Sequence, residues 1–209
     1  QFERFWKGLR DNLNDSITRA DAISMLSQHL ITKPIFDALF AGHDFATHNP
    51  VSQVMQAMAD ALDGSGLEAE TKRLAKFYDS VRLRAEQVTD AQSKQHLIAD
   101  LYQKFFQTAF KKQSDALGIV YTPVEVVDFI LRAADYAARE HLGRGLTDEG
   151  VHILDGFTGT GTFLTRLLQS DLITPQDLAR KYNAELHANE IMLLAYYIAA
   201  VNIETTYHA

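Results

Sequence analysis

Residues Val151 to Leu164 read V-H-I-L-D-G-F-T-G-T-G-T-F-L, a short apolar strand, a glycine-rich turn and the opening of a helix. A chain that passes from a buried strand through such a turn into a helix is committed to a layered α/β arrangement. Glycine lets the backbone approach a ligand closely, and the first N–H groups of the helix point at polar or anionic atoms. A second strand pattern, Ala184 to Ala188, ends at Asn189-Glu190. From Ser114 onward the expected order is helix (Val124 to about His141), strand (Val151 to Asp155), helix (about Thr160 to Gln169), strand, helix (Ile191 to Asn202). Gly143 and Gly145 stop the first helix, and Thr174-Pro175 opens a short extra one. This order predicts a parallel sheet with crossover connections. Two strands cannot bury both faces of a doubly wound sheet, so the sheet is expected to be incomplete.

The stretch up to about Lys112 has a different texture and reads as almost wholly helical. Pro34 sits where a helix could begin, and Asn49-Pro50 is a second start signal, followed by Val54, Met58, Ala61 and Leu62 at helical spacing. Asp63-Gly64-Ser65-Gly66 is a break. Leu67, Leu74, Phe77, Val81 and Val88 share the next helical face, and Leu101, Phe105, Phe106 and Phe110 the one after it. The boundary is placed near 112–118, giving a helical module over 1–113 and an α/β module over 114–209.

Composition excludes some classes. With a net charge of −7, the 209 residues lack the Lys/Arg surplus of a self-contained nucleic-acid binder. There is no cysteine, hence no disulfide framework and no thiolate metal site. The longest apolar run, Ile191 to Val201, is too short to span a bilayer of ~30 Å. No signal peptide is read at Gln1-Phe2-Glu3-Arg4. A cytoplasmic setting without membrane contact is expected. The chain starts without Met and ends just after a strand–helix pattern, so it is read as a piece of a longer polypeptide.

Three ligand classes use a strand–glycine–helix outline. A triphosphate loop needs Lys after the glycine at position 161, and Thr162 stands there. A dinucleotide fingerprint needs a third glycine where Leu164 stands. The remaining pattern, Asp155 at one strand end and Glu190 at the next, suits a cofactor with an amine, a ribose and an adenine but no phosphate. Asp155 can take up the amino group and Glu190 both ribose hydroxyls. S-adenosylmethionine has that chemistry. Glycine turns between strand and helix also arise for packing reasons alone; Asp155, Phe163 and Glu190 in register with Gly159 and Gly161 favour the site.

Asp155-Gly156-Phe157-Thr158-Gly159-Thr160-Gly161-Thr162-Phe163 resembles motif I of adenine-N6 DNA methyltransferases, D-P-F-x-G-[ST]-G-x-[FL]. Gly118-Ile119-Val120-Tyr121-Thr122-Pro123 resembles their motif X, and Asn189-Glu190-Ile191 their motif II, in the γ order. The narrower resemblance is to the methyltransferase part of large single-polypeptide restriction-modification enzymes of the type ISP group. It implies a Rossmann-like S-adenosylmethionine-dependent domain, truncated here, preceded by a helical coupler. It also implies helicase-like ATPase and nuclease domains on the same polypeptide, and DNA as partner through parts outside these residues. By position, Tyr121, Thr122 and Pro123 would line the cofactor, and Asp155, Gly156, Phe157, Thr158, Gly159, Gly161 and Phe163 would form its loop. Glu190 would hold the ribose and Ile191 would pack on the adenine. Gly156 departs from the usual Pro, which frees the loop backbone. The catalytic [DN]-P-P-[YF] motif does not occur in the chain, so no catalytic residue is assigned and the fragment alone is expected to be inactive. The alternative is a non-catalytic helical interaction module with a cofactor-sensing half-domain. His43, Asp44 and His48 lack the spacing of a metal pair, and Lys104, Lys111 and Lys112 among phenylalanines read as the solvated edge of an amphipathic helix.

Overall fold

The computed structural model describes residues 2–39, 49–61, 75–87 and 122–208, and the chain divides into two compact units, Gln1–Ile98 and Ala99–Ala209. The boundary expected near 112–118 lies outside the described residues, as do the Asp63–Gly66 break, the phenylalanine-rich stretch and His43, Asp44 and His48.

The first unit is helical: α1 Phe2–Asn12, α2 Arg19–Leu39, α3 Pro50–Ala61 and α4 Ala75–Glu86. Thr18 opens α2 with a reciprocal cap. The Asp21 N–H donates to Thr18 Oγ1 (3.2 Å) and the Thr18 N–H to Asp21 Oδ2 (2.9 Å). Asn49 opens α3 by accepting the Ser52 N–H at 3.0 Å. Among the described residues, Phe5, Leu9, Ala22, Leu26, Met55, Met58, Ala59, Tyr78 and Val81 of this unit are buried and apolar. Trp6 donates its indole N–H to the Ile17 carbonyl at 2.8 Å, and the Arg19 guanidinium lies 4.1 Å over its ring.

Two expectations are corrected here. Pro34 does not begin a helix; it lies inside α2. Its missing N–H costs one rung, but the helix is already built from Arg19 and is held by its neighbours. The Tyr78 hydroxyl of α4 donates to the Ile31 carbonyl (3.0 Å), in the turn next to the proline. In α3 the inward face is Ser52, Met55, Met58 and Ala59, whereas Val54 is exposed.

The second unit has the predicted order: α5 Val124–Leu142, β1 Ile153–Asp155, α6 Thr162–Gln169, α7 Pro175–Arg180, a π-turn Lys181–Glu185, β2 Leu186–Ala188 and α8 Leu193–His208. The two strands pair in parallel, Ile153 with Leu186, Leu154 with His187 and Asp155 with Ala188. One face of the pair is packed: Ile153 and Leu186 lie against a core of Val127, Leu131, Leu167, Leu168 and Ile173. On the other face Leu154 is exposed, and His152 meets His187 through ring nitrogens 2.9 Å apart. The ring centroids are 5.3 Å apart, the length of one N–H···N contact plus two ring radii, so the imidazoles lie edge to edge. Among the described residues no helix is long and apolar enough to cross a membrane.

The stretch before β2 differs from expectation. Ala184 and Glu185 belong to the π-turn and not to the strand. The reason is Lys181, a fully buried side chain whose ammonium must find partners. It donates to the carbonyls of Leu146 (2.9 Å), Asp148 (2.9 Å) and Val151 (2.7 Å), and pairs with Glu185 at 2.7 Å. Glu185 also accepts the Gly150 N–H (2.8 Å) and pairs with Arg180. The wider π-turn sets Lys181 and Glu185 so that both reach the 146–151 loop. The Val151 carbonyl serves Lys181, and β1 starts two residues later than the pattern suggested.

The Lys181 ammonium, then the Gly150 N–H and the Arg180 guanidinium, hold the Glu185 carboxyl down at about 2 from an ordinary 4.5. A depressed carboxyl contributes stability that is complete above its unfolded pKa and is lost as pH falls through the folded one. Denaturant unfolding of the second unit is therefore expected to weaken between pH 4.5 and 2, and less steeply in Glu185→Gln. Lys181→Met should destabilise at neutral pH, since each buried carbonyl left without a donor costs about 1–3 kcal/mol. An unchanged melting temperature in Lys181→Met would rule out the staple.

Candidate functional site

Parallel pairing brings the C-terminal ends of β1 and β2 side by side, and everything beyond them is tied across the gap. The Asn189 N–H donates to the Asp155 carbonyl (2.9 Å) and the Thr158 N–H returns to the Asn189 carbonyl (3.1 Å). The Thr158 hydroxyl donates to the Asp155 carbonyl at 2.9 Å and itself accepts the Asn189 N–H at 3.1 Å. The Asn189 side-chain amide donates to the Gly156 carbonyl at 3.2 Å. Thr158 is buried under this stitching. Gly159 and Gly161 both take left-handed backbone, with φ of +58° and +85°. That choice delays α6 to Thr162, two residues after its expected start.

Asp155 is the electrostatic centre of the site. Its Oδ1 accepts the Phe157 N–H at 3.3 Å, while its Oδ2 is buried and has no protein partner. Loss of solvent pushes its pKa above the ordinary carboxylate value, opposed by the Phe157 N–H. Glu190, at the end of β2, turns towards the loop. Its Oε2 accepts the Gly159 N–H and its Oε1 the Met192 N–H, both at 2.7 Å. Each carboxylate oxygen has a second lone pair, so hydroxyl donors can be added without breaking either bond. The Met192 bond also explains why α8 begins at Leu193 and leaves Ile191 outside it.

The expected site residues differ in their surroundings. Asp155, Gly156, Thr158, Gly159 and Glu190 are joined by the hydrogen bonds above. Phe157 (97% exposed) and Ile191 (76% exposed) project from the loop and from the end of β2. Phe163 packs on the Val127–Leu131–Leu167 core. Thr122 and Pro123 precede α5, and the Pro123 carbonyl accepts the Val126 and Val127 N–H groups at 3.0 and 3.1 Å. Tyr121 lies outside the described residues. Gly161 has a packing reason of its own: an added Cβ would stand 3.2 Å from the Ala199 Cα and the Ile203 Cγ1 of α8. Leu164, which argued against a dinucleotide, is buried on the inner face of α6.

Sequence reasoning missed the loop's scaffold. Asn202 of α8 donates to the Thr160 carbonyl at 3.0 Å, and its only sequence signal is a polar residue closing the apolar run from Ile191. A surface hollow of 280 Å³ lies elsewhere, lined by Asp128, Arg132, Arg166 and Asp171 among others. Its charges are paired internally: Arg166 meets both Asp128 oxygens at 2.8 Å, and Arg132 meets Asp171 at 2.7 Å. None of its lining residues belongs to the loop. Among the described residues no group of three or more His, Asp or Glu could hold a metal ion.

Residues 1–93 match the coupler domain of Type ISP restriction-modification enzymes. Solved structures agree over nearly the whole chain. A nuclease-deletion mutant of the Type ISP restriction-modification enzyme LlaGI, in complex with a DNA substrate mimic, is 48% identical with a TM-score of 0.83, covering 99% of this chain and 20% of that one. The ATP-dependent Type ISP enzyme LlaBIII bound to DNA is 50% identical, TM-score 0.84, covering 99% and 14%. A DrdV–DNA complex is 35% identical, TM-score 0.86, covering 99% and 20%. The chain thus spans a fifth or less of each of these relatives. No curated protein matches it.

Gly161→Ala is expected to destabilise by roughly 1–3 kcal/mol, from left-handed strain and overpacking against α8. Gly156→Ala, whose Cβ would meet nothing within 4 Å, should be nearly neutral. Equal melting temperatures for the two variants would contradict this account of the loop.

Proposed function

We propose that residues 114–209 are the cofactor-binding front of a Rossmann-like, S-adenosylmethionine-dependent DNA (adenine-N6)-methyltransferase domain. On this reading the helical module over 1–113 is the coupler that joins it to helicase-like ATPase and nuclease domains of a restriction-modification enzyme. The observation that carries the proposal is the Asp155 Oδ2 atom, buried at a glycine loop without a partner. A buried acceptor left unpaired costs about 1–3 kcal/mol, and a cationic amine at that atom would remove the cost.

The residues present fit the cofactor. S-adenosylmethionine supplies a methyl group on a sulfonium. Asp155 would bind the amino group of its methionine part. Glu190 would accept the ribose hydroxyls on lone pairs that Gly159 and Met192 leave free. Gly156 and Gly159 have open space where a Cβ would stand, which lets a ligand approach the backbone. Exposed Ile191 and Phe157 offer apolar surface to an adenine. Thr158 and Asn189 act beneath the ligand and hold the loop to the ends of the strands. These groups bind and orient; target adenine and its amino group would be handled by parts of the polypeptide that carry the catalytic motif.

DNA as partner is supported by the DNA-bound relatives, and the net charge of −7 supports placing most of its contacts elsewhere in the polypeptide. The match over residues 1–93 also favours a second reading, in which the helical module serves as an interaction element and the α/β part only senses cofactor.

Isothermal titration with S-adenosylmethionine, NAD and ATP tests the proposal. Saturable heat is expected with S-adenosylmethionine alone, weakened about tenfold or more in Asp155→Ala, as loss of a charge-assisted hydrogen bond requires. Binding of NAD or ATP in its place would refute it. Burial raises the Asp155 pKa, and a bound cation favours the ionised carboxylate. Binding should therefore release a proton as pH falls into the range where the free Asp155 carboxyl is partly protonated, seen as a buffer-dependent heat, and affinity should fall as pH falls further. A buffer-independent heat throughout would argue against contact between the amine and Asp155.

A further inference from the structure

We propose that α8 is the seat of the glycine loop and that Asn202 is a positioning residue for ligand binding, acting by pinning one peptide plane. The plane is the Thr160–Gly161 peptide. Its carbonyl accepts the Asn202 Nδ2–H at 3.0 Å, across 42 residues of chain. Its N–H donates to the Thr158 carbonyl at 2.9 Å. Both ends of one peptide are therefore fixed, one by α8 and one by the loop itself.

This peptide needs such a hold. It is followed by Gly161 at φ +85° and preceded, one residue earlier, by Gly159 at φ +58°. Glycine crosses between φ regions at little steric cost, so a glycine-flanked peptide is the one in this loop most able to flip. A flip would exchange the directions of the Thr160 carbonyl and the Gly161 N–H and break the bond to Thr158. It would also disturb Gly159, whose N–H is held by Glu190 at 2.7 Å. The Glu190 carboxylate, aimed by the Gly159 N–H, would then no longer be in place before a ligand arrives, and ordering it would be charged against binding.

The rest of the seat is steric. Ala199, Asn202 and Ile203 stand at i, i+3 and i+4 on α8 and so share one face. The first and last of them press on Gly161, with only 3.2 Å from the Ala199 Cα and the Ile203 Cγ1 to a Cβ placed there. α8 itself is anchored through buried Leu193, Leu194, Tyr197, Ile198 and Val201. The loop shape is thus dictated by a helix that supplies no group to the proposed ligand. The inference rests on reading the loop as the ligand site, and deepens it by naming what preorganises that site.

The test uses the whole 209-residue chain and two readouts. Asn202→Asp keeps the shape but offers the Thr160 carbonyl no donor; Asn202→Leu removes polarity at similar size. Leu131→Ala, in the core of the second unit, serves as a destabilised control. Amide hydrogen exchange of Gly159 and Gly161 is expected to accelerate about tenfold in both Asn202 variants, the factor expected for one lost net hydrogen bond. Exchange within α8 should stay unchanged. S-adenosylmethionine affinity should fall about tenfold in the Asn202 variants, while Leu131→Ala lowers the melting temperature and leaves affinity alone. Unchanged exchange at Gly161 in both variants would overturn the proposal. So would affinity equal to that of the parent, where the parent binds. If the parent chain does not bind S-adenosylmethionine, the cofactor reading falls, and the exchange readout alone decides whether Asn202 holds the loop.

Discussion

The parallel pairing of β1 with β2 is the constraint on which the second unit depends. It sets Asp155 opposite Ala188, so the residues that follow each strand, the glycine loop and Asn189-Glu190, leave from the same edge. A slip of one residue would turn Ile153 and Leu186 away from the core and carry Asp155 to the opposite face. Three-residue strands hold register weakly by themselves, and the protein secures it at both ends. Below the sheet, buried Lys181 and Glu185 join the π-turn to the 146–151 loop. Above it, Thr158 and Asn189 exchange four hydrogen bonds with the strand end and each other. The site is the upper of these two staples, which is why its geometry is that of a fixed scaffold.

Charge is used differently in the two staples. At Lys181 each ammonium proton has a carbonyl within reach and the counter-ion is adjacent, so a fully buried cation is tolerated. At Asp155 one oxygen has lost water and found no donor. The contrast within one small unit separates a structural charge from a candidate binding charge: compensation in the first, an open acceptor in the second. Glu190 stands between them, already accepting two backbone N–H groups yet with acceptor capacity left.

Much of this could be read from the residues. Gly143 stops α5 and Thr174-Pro175 opens α7. The two strand patterns gave a parallel pair with a helix between them, because apolar runs bounded by glycine and acidic residues carry their own period. Misreadings have equally physical causes. Pro34 carries the same signal at a helix start and inside a helix, and only the packing of α2 against its neighbours decides between them. Val54 and Met55 are both apolar, and the turn that Asn49 caps determines which faces inward. Ala184-Glu185 looks like strand until the needs of the Lys181 ammonium widen the backbone into a π-turn.

Local chemistry decided a good deal before folding. It placed glycine where left-handed backbone was needed, put acids at the ends of both apolar strands, and excluded a lysine from the loop, since each of these depends on residue type and short-range spacing. Tertiary structure decided what each group meets. That Glu190 reaches the Gly159 N–H, that Asp155 Oδ2 is left without a donor, and that Asn202 holds the Thr160 carbonyl across 42 residues follow from strand register and the seating of α8. Long-range hydrogen bonds are set by the burial of many apolar side chains at once, and no local pattern encodes them.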